Sequence, residues 1–311
     1  MKVFVAGATG VIGRPLTARL LAANHEVITM TRSEKRATDL QQRGATPVIC
    51  DVFDRRNLRR CLEAARPDVV VHQLTALPKR IDPRKVKKQL AQTNRLRTEG
   101  TRNLFEASLV AGAKQFIAQS IAFAYSPDGE GLKTEDCALY ERPPTSFDDV
   151  IHAIRSLEET AVGSADLAGV VLRYGFFYGP GTVYASDGSF AEDVRHSRVP
   201  IVGNGTGVFS FVHVEDAAAA TVAALEYGEP GIYNIVDDEP AQVAEWLPLY
   251  AEALRARRPK RVPRWMARLL AGPYAIYLMC EQRGAANAKA KRLLGWSPQY
   301  STWRSAFNEK I

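Results

Sequence analysis

Three glycines at three-residue intervals, Gly7, Gly10 and Gly13, follow directly on the apolar run Lys2–Ala6. The order is strand, tight turn, helix start, with Thr9, Val11 and Ile12 filling the turn. Gly7 suits a turn that has no room for a Cβ. Gly10 lets a pyrophosphate approach the backbone, and Gly13 lets the helix pack close to the strand. The free N–H groups at the helix start then face phosphate oxygens, so the chemistry is dinucleotide binding. A second cluster, Thr31, Arg32 and Ser33, ends the next apolar run. A carboxylate there would bond a ribose 2′-hydroxyl and repel a 2′-phosphate. A guanidinium between two hydroxyls, with Lys35 and Arg36 behind it, predicts the phosphate, hence NADP ahead of NAD. Asp51 and Val52 fall where an adenine amino group is bonded. Leu74, Thr75 and Ala76 fall where backbone must approach the ribose and pyrophosphate.

These residues need strands to end beside one another. Apolar runs at 26–30, 46–50, 68–72, 115–119 and 169–173 read as further strands, joined by helices at 57–65, 83–111 and 147–165, with a polar helix capped by Ser33. Near-continuous apolar strands alternating with helices predict a Rossmann-type α/β fold, a doubly wound parallel sheet. The reading assigns residues 1–175 to the dinucleotide-binding domain. Residues 176–311 form a smaller C-terminal substrate lobe, of which 208–236 returns to the Rossmann core.

Composition narrows the partners. Of the 311 residues 46% are hydrophobic, enough for a sizeable core. The four cysteines form no CxxC pair and the five histidines lie apart, so no metal site is expected, and unpaired thiols suit a reducing cytoplasm. The apolar run 269–280 contains Gly272-Pro273 and is too short to span a bilayer; it reads as a buried helix pair, with a substrate lid or membrane-surface patch as alternatives. The net charge of +7 concentrates at 79–88 and 255–268. No aromatic platforms accompany these clusters, so they read as solvated helix faces or a field for an anionic small molecule, not a nucleic-acid surface.

Six segments in order resemble the extended short-chain dehydrogenase/reductase family, the NAD(P)-dependent epimerase/dehydratase group. They are the glycine turn; Asn94 with Gly100-Thr101-Arg102-Asn103-Leu104; 119–125; 172–181, which includes Tyr174, Gly175 and Phe176; Phe211-Val212-His213-Val214-Glu215-Asp216; and Leu294-Gly295-Trp296-Ser297-Pro298. The resemblance implies a nicotinamide cofactor held also by Asn94, Ser120 and the 174–176 loop. It implies a Tyr general acid with a Lys four residues on. No Tyr here has that Lys. Aligning the helix on Glu159 puts Ile151 and Arg155 at the two positions; aligning on Glu158 puts Val150 and Ile154 there. The chain therefore resembles the atypical branch that lacks the pair. In the first alignment Arg155 still bonds the ribose, but it cannot donate a proton at pH 7. Replacement acids rank as Tyr178, Tyr125, then His152, with Ser120 orienting the substrate. Asp148 and Asp149 read as helix caps.

Sugar-nucleotide members bind pyrophosphate through an Arg that aligns with Phe209 here, which argues against such substrates. Aromatic residues of the C-terminal lobe, Tyr274 and Tyr277 among them, predict an apolar pocket, and Arg283 is an anion anchor or a helix cap. The expectation is an NADP(H)-dependent carbonyl reductase or dehydrogenase acting on a small apolar molecule. An epimerase or dehydratase using bound cofactor transiently, and a non-catalytic NADP sensor, are the alternatives. By analogy with the family, a homodimer would form through the helices at 83–111 and 147–165.

Overall fold

A computed structural model describes residues 1–308. The N-terminal part runs β1 (Lys2–Ala6), α1 (Gly13–Ala22), β2 (Glu26–Thr31), α2 (Glu34–Gln42), β3 (Thr46–Ile49), α3 (Arg55–Ala65), β4 (Val69–His72), α4 (Val86–Arg95), a π-turn (Leu96–Gly100), α5 (Thr101–Val110), β5 (Gln115–Ile121), α6 (Thr145–Val162) and β6 (Ala168–Tyr174). There follow β7 (Phe176–Tyr178), α7 (Ser189–Arg195), β8 (Ile201–Val202), β9 (Val208–Phe209), β10 (Phe211–His213), α8 (Val214–Tyr227), β11 (Gly231–Ile235), β12 (Ala241–Gln242), α9 (Val243–Ala253), β13 (Arg261–Val262), α10 (Arg264–Ala271), α11 (Pro273–Ile276), a second π-turn (Tyr277–Glu281), α12 (Ala288–Leu294) and α13 (Trp303–Asn308).

Seven strands pair in the order β11-β6-β5-β4-β1-β2-β3, all parallel. Strand order reverses at β1, which lies between β4 and β2, and the crevice outside the carboxyl ends there is where such sheets bind ligands. Both faces are covered. Val3, Val5, Leu16, Ala217 and Leu294 belong to the core on one face; Phe4, Leu58, Leu104, Phe116 and Leu157 belong to the core on the other. A third core, around Tyr178, Phe211, Trp246, Tyr250 and Trp303, fills the C-terminal part.

The structure corrects two expected elements. The helix expected at 83–111 starts only at Val86 and is interrupted by the π-turn. Before it, Asp82 folds a turn by accepting the backbone N–H of Arg84 (3.0 Å), while Gln89 accepts the N–H of Asp82 (2.8 Å). The run 269–280 is not a buried pair throughout. Leu269 and Leu270 are 77% and 65% exposed, whereas Tyr274, Ile276 and Tyr277 are buried. The two halves part at Gly272-Pro273. Among the described residues no helix is long and apolar enough to cross a membrane, and no side-chain cluster could hold a metal.

Candidate active site

The glycine turn is built against the segment that follows β4. Gly7 has φ +103°, and a Cβ there would stand 2.5 Å from the carbonyl oxygen of Gln73; at Gly13 it would stand 2.1 Å from the carbonyl of Gly7. The β4 segment is held in turn by His72. Its Nδ1 accepts the N–H of Leu74 (3.2 Å), which leaves Nε2–H to donate to Thr101 Oγ1 (3.0 Å). Burial pulls the His72 pKa down to about 4, so the ring is neutral and keeps this tautomer. Thr93 Oγ1 accepts the N–H of Ala76 at 3.1 Å. Thr75 is left exposed between these anchors.

At the end of β2, Arg32 is 71% exposed and stands 3.6 Å from Asp51. Ser33 Oγ accepts the N–H of Arg36 (3.4 Å), and Thr31 Oγ1 accepts that of Ser33 (3.3 Å). Asp51 also accepts the N–H of Phe53 (2.9 Å), and the buried Val52 offers its carbonyl to Asn103 (3.0 Å). Asn94 Nδ2 and Gln73 Oε1 are buried with no hydrogen-bond partner among the described residues. Orphaned polar groups beside a phosphate-sized backbone cradle fit a dinucleotide, whose ribose hydroxyls and amide would complete them.

On α6, Glu158 fixes the helix orientation. Its carboxylate receives Ser120 Oγ (2.6 Å) and two bonds from the Arg173 guanidinium (2.8 and 2.6 Å). Positions four and eight residues before Glu158 lie on the same stripe, so Val150 and Ile154 face the end of β5, both almost fully buried. Arg155 lies about 100° around the helix. It donates to the carbonyls of Leu139 and Tyr140 (3.4 and 3.1 Å) and lines a surface cleft with Ala138 and Val162. Arg155, expected to bond the ribose, is turned toward the 139–140 segment here, and the stripe facing the sheet carries neither phenol nor ammonium.

Each expected substitute acid is occupied or turned away. Tyr178 is 1% exposed inside the C-terminal core and donates to the carbonyl of Tyr300 (3.3 Å); burial pushes its phenol well above the ordinary range. Tyr125 donates to Asn234 Oδ1 (2.7 Å) and accepts from Arg173 (2.8 Å), with burial pushing its pKa up to about 12. His152 is on the exposed face of α6. Ser120 is fully buried and spends its proton on Glu158, which makes it a structural tie instead of a substrate contact.

The substrate side is aromatic. Gly175 donates its N–H to Ile235 and Phe176 donates its own to Ser210, fixing the segment after β6. Tyr174 hydroxyl sits between Thr221 and Gln73 at 2.7 and 3.2 Å. The Phe176 ring stacks on Phe123 (4.2 Å) and on Phe209 (4.3 Å). Arg283 donates to the carbonyl of Pro127 (3.2 Å). Sequence reading passed over Arg97, a buried guanidinium on the π-turn three residues beyond Asn94. The arrangement can hold a dinucleotide beside an aromatic surface, with neither phenol nor ammonium on the inward stripe of α6.

A model of the NAD dependent epimerase/dehydratase family matches residues 3–236. The 3-diazoavenalumate denitrifying reductase of a Streptomyces species is 45% identical over all of both chains. The 4-hydroxy-2-methyl-3-oxo-4-farnesyl-3,4-dihydroquinoline-1-oxide ketoreductase of Stigmatella aurantiaca is 26% identical over 96% of this chain and 92% of its own. Among solved structures, the human epimerase family protein SDR39U1 with NADPH superposes with a TM-score of 0.74 at 22% identity, over 99% of this chain and 98% of that one.

Proposed function

The chain belongs to the NAD dependent epimerase/dehydratase family, and from that membership we propose that it is an NADPH-dependent reductase whose substrate is a small aromatic diazonium compound. The carrying observation is the inward stripe of α6, where Val150 and Ile154 stand in place of a proton donor and its cation. Reducing a carbonyl creates an alkoxide, and a positioned acid that protonates it is worth about 10²–10⁴ in rate. An aryl diazonium group makes no such demand: one hydride replaces the C–N bond by C–H, its two electrons and single negative charge balance the cation, and N₂ leaves. NADPH, when bound, supplies that hydride.

The protein's own residues do the rest. The 7–13 turn and the N–H groups of α1 would bind the pyrophosphate. Arg32, with Thr31 and Ser33, would take the 2′-phosphate, and Asn94 and Gln73 would bond the nicotinamide half. The half-buried Phe123 and Phe176, backed by the buried Phe209, would offer flat apolar surface to a planar substrate. The relative at 45% identity, named for a diazo acid, supports the reading. Carbonyl reduction with a donor outside α6 is the second reading, favoured by the ketoreductase relative.

The test is to mix protein and NADPH with an arenediazonium acid and, separately, with a panel of aromatic ketones. Loss of nicotinamide absorbance matched mole for mole by N₂ is expected with the first. Turnover of ketones alone replaces it with the second reading.

A further inference from the structure

Arg97 carries a charge that the described residues leave without a counterion. It is 8% exposed, and its only hydrogen bond is a long one, 3.5 Å from Nη1 to Asn94 Oδ1. The nearby carboxylate of Glu158 is already taken by Arg173 and Ser120. A buried charge without a partner costs several kcal/mol, so one normally persists where a ligand completes it. Burial pulls the Arg97 pKa down to about 10, still charged at neutral pH.

The π-turn that carries Arg97 and the helix α11 that carries Tyr274 both pack against α6. Tyr274, at the start of α11, is 7% exposed and stacks on Phe147 at 4.6 Å, in the same cluster as Val150, Ile151 and Ile154. No hydrogen bond from its hydroxyl is made among the described residues. Burial raises the Tyr274 pKa and the Arg97 charge opposes that rise, as expected of groups that share one cleft. A guanidinium and a phenol are thus held on two elements that flank α6 where the sheet domain meets the lobe, beside stacked aromatic rings.

We propose that Arg97 and Tyr274 form an anion-recognition site at one end of the substrate pocket, and that it takes the carboxylate or phenolate oxygen of a conjugated aromatic acid. The inference rests on the reductase reading only in treating this cleft as the substrate pocket. The ordinary recognition geometry applies: a planar guanidinium meets a carboxylate with paired N–H donors and the phenol adds a third. The net charge of +7 favours arrival of such an anion.

The experiment titrates trans-cinnamate and its neutral methyl ester into protein saturated with NADP⁺, by calorimetry. Wild type should bind the acid more tightly than the ester. Arg97→Met should weaken the acid by about 30-fold or more, Arg97→Lys by roughly fivefold, and Tyr274→Phe by roughly three- to tenfold, with the ester unmoved. NADP⁺ affinity should stay within about twofold of wild type. Arg97→Lys and Tyr274→Phe decide the matter if the Met variant does not fold. The proposal is overturned if wild type does not prefer the acid. Equal losses for acid and ester overturn it too, as does a loss confined to NADP⁺, which would assign Arg97 to the cofactor. Arg97-dependent binding of the acid without any diazo turnover would sink the reductase reading and leave this site standing; diazo-acid turnover with a KM in Arg97→Met no higher than in wild type would do the reverse.

Discussion

At Arg32 two anions compete for one guanidinium. The neighbour in place is Asp51, 3.6 Å away, with both side chains well exposed. An exposed pair of this kind is worth about 0–1 kcal/mol, whereas hydrogen bonds to a charged phosphate are worth about 1.5–3 kcal/mol. A 2′-phosphate would therefore draw Arg32 away from Asp51 at small cost, and Ser33 and Thr31 would stand ready on either side. Arg32→Asp should weaken NADPH by roughly 10- to 100-fold while leaving NADH unchanged or improved. Fluorescence titration of both cofactors checks this, and an unaltered NADPH affinity would remove Arg32 from the assignment. The same scale shows how residues mislead when read singly. Tyr178 follows β6 closely in sequence, yet its hydroxyl meets the carbonyl of Tyr300, 122 positions away. Nothing local announces such a partner.

Helix α6 is set by one side chain. Glu158 ties it to β5 through Ser120 and to β6 through Arg173, in an ion pair only 4–6% exposed at its side chains. Removing one partner strands the other charge in the interior. Glu158→Leu should therefore cost about 3–5 kcal/mol in urea unfolding, and a loss below about 1 kcal/mol would show that the pair does not anchor the helix. This tie also explains what the sequence could and could not disclose. The glycine turn was readable because its demands are local: Gly7 and Gly13 answer to carbonyls within the turn and at the adjoining strand end. Strand alternation likewise settles a parallel sheet. On α6 the motif pair could be aligned in two ways, and a shift of one residue turns a helical side chain by about 100°. The bonds that Glu158 accepts from Ser120 and Arg173 put Ile154, and not Arg155, on the inward stripe. Arg97 was hidden for another reason. It is one of 41 basic residues, and neither its burial nor the π-turn that presents it has a mark in composition.

Across the whole molecule, two kinds of mass action can be separated. The cofactor crevice lies on the sheet domain, with the aromatic cluster of Tyr274 closing against α6 from the C-terminal lobe, so a ligand bound there must be released before the native state unfolds. At a concentration 100 times its Kd, NADPH should add about 2.7 kcal/mol of stability, and NADH at the same concentration should add less if Arg32 selects the 2′-phosphate. A homodimer through α4 and α6 adds a different dependence, because its melting temperature rises with protein concentration. Charges on these helices and beside them already meet within one chain: Lys87 pairs with Asp149 at 3.3 Å, and Arg84 with Asp82. The helical faces would then have to associate through their uncharged surface. Thermal melts over a hundredfold range of protein concentration, each with and without NADPH, test both terms together. A midpoint that climbs with NADPH and with protein concentration supports the cofactor site and the dimer; one that climbs with NADPH alone keeps the site and discards the dimer; one that ignores NADPH contradicts the reading of the Gly7–Gly13 turn itself.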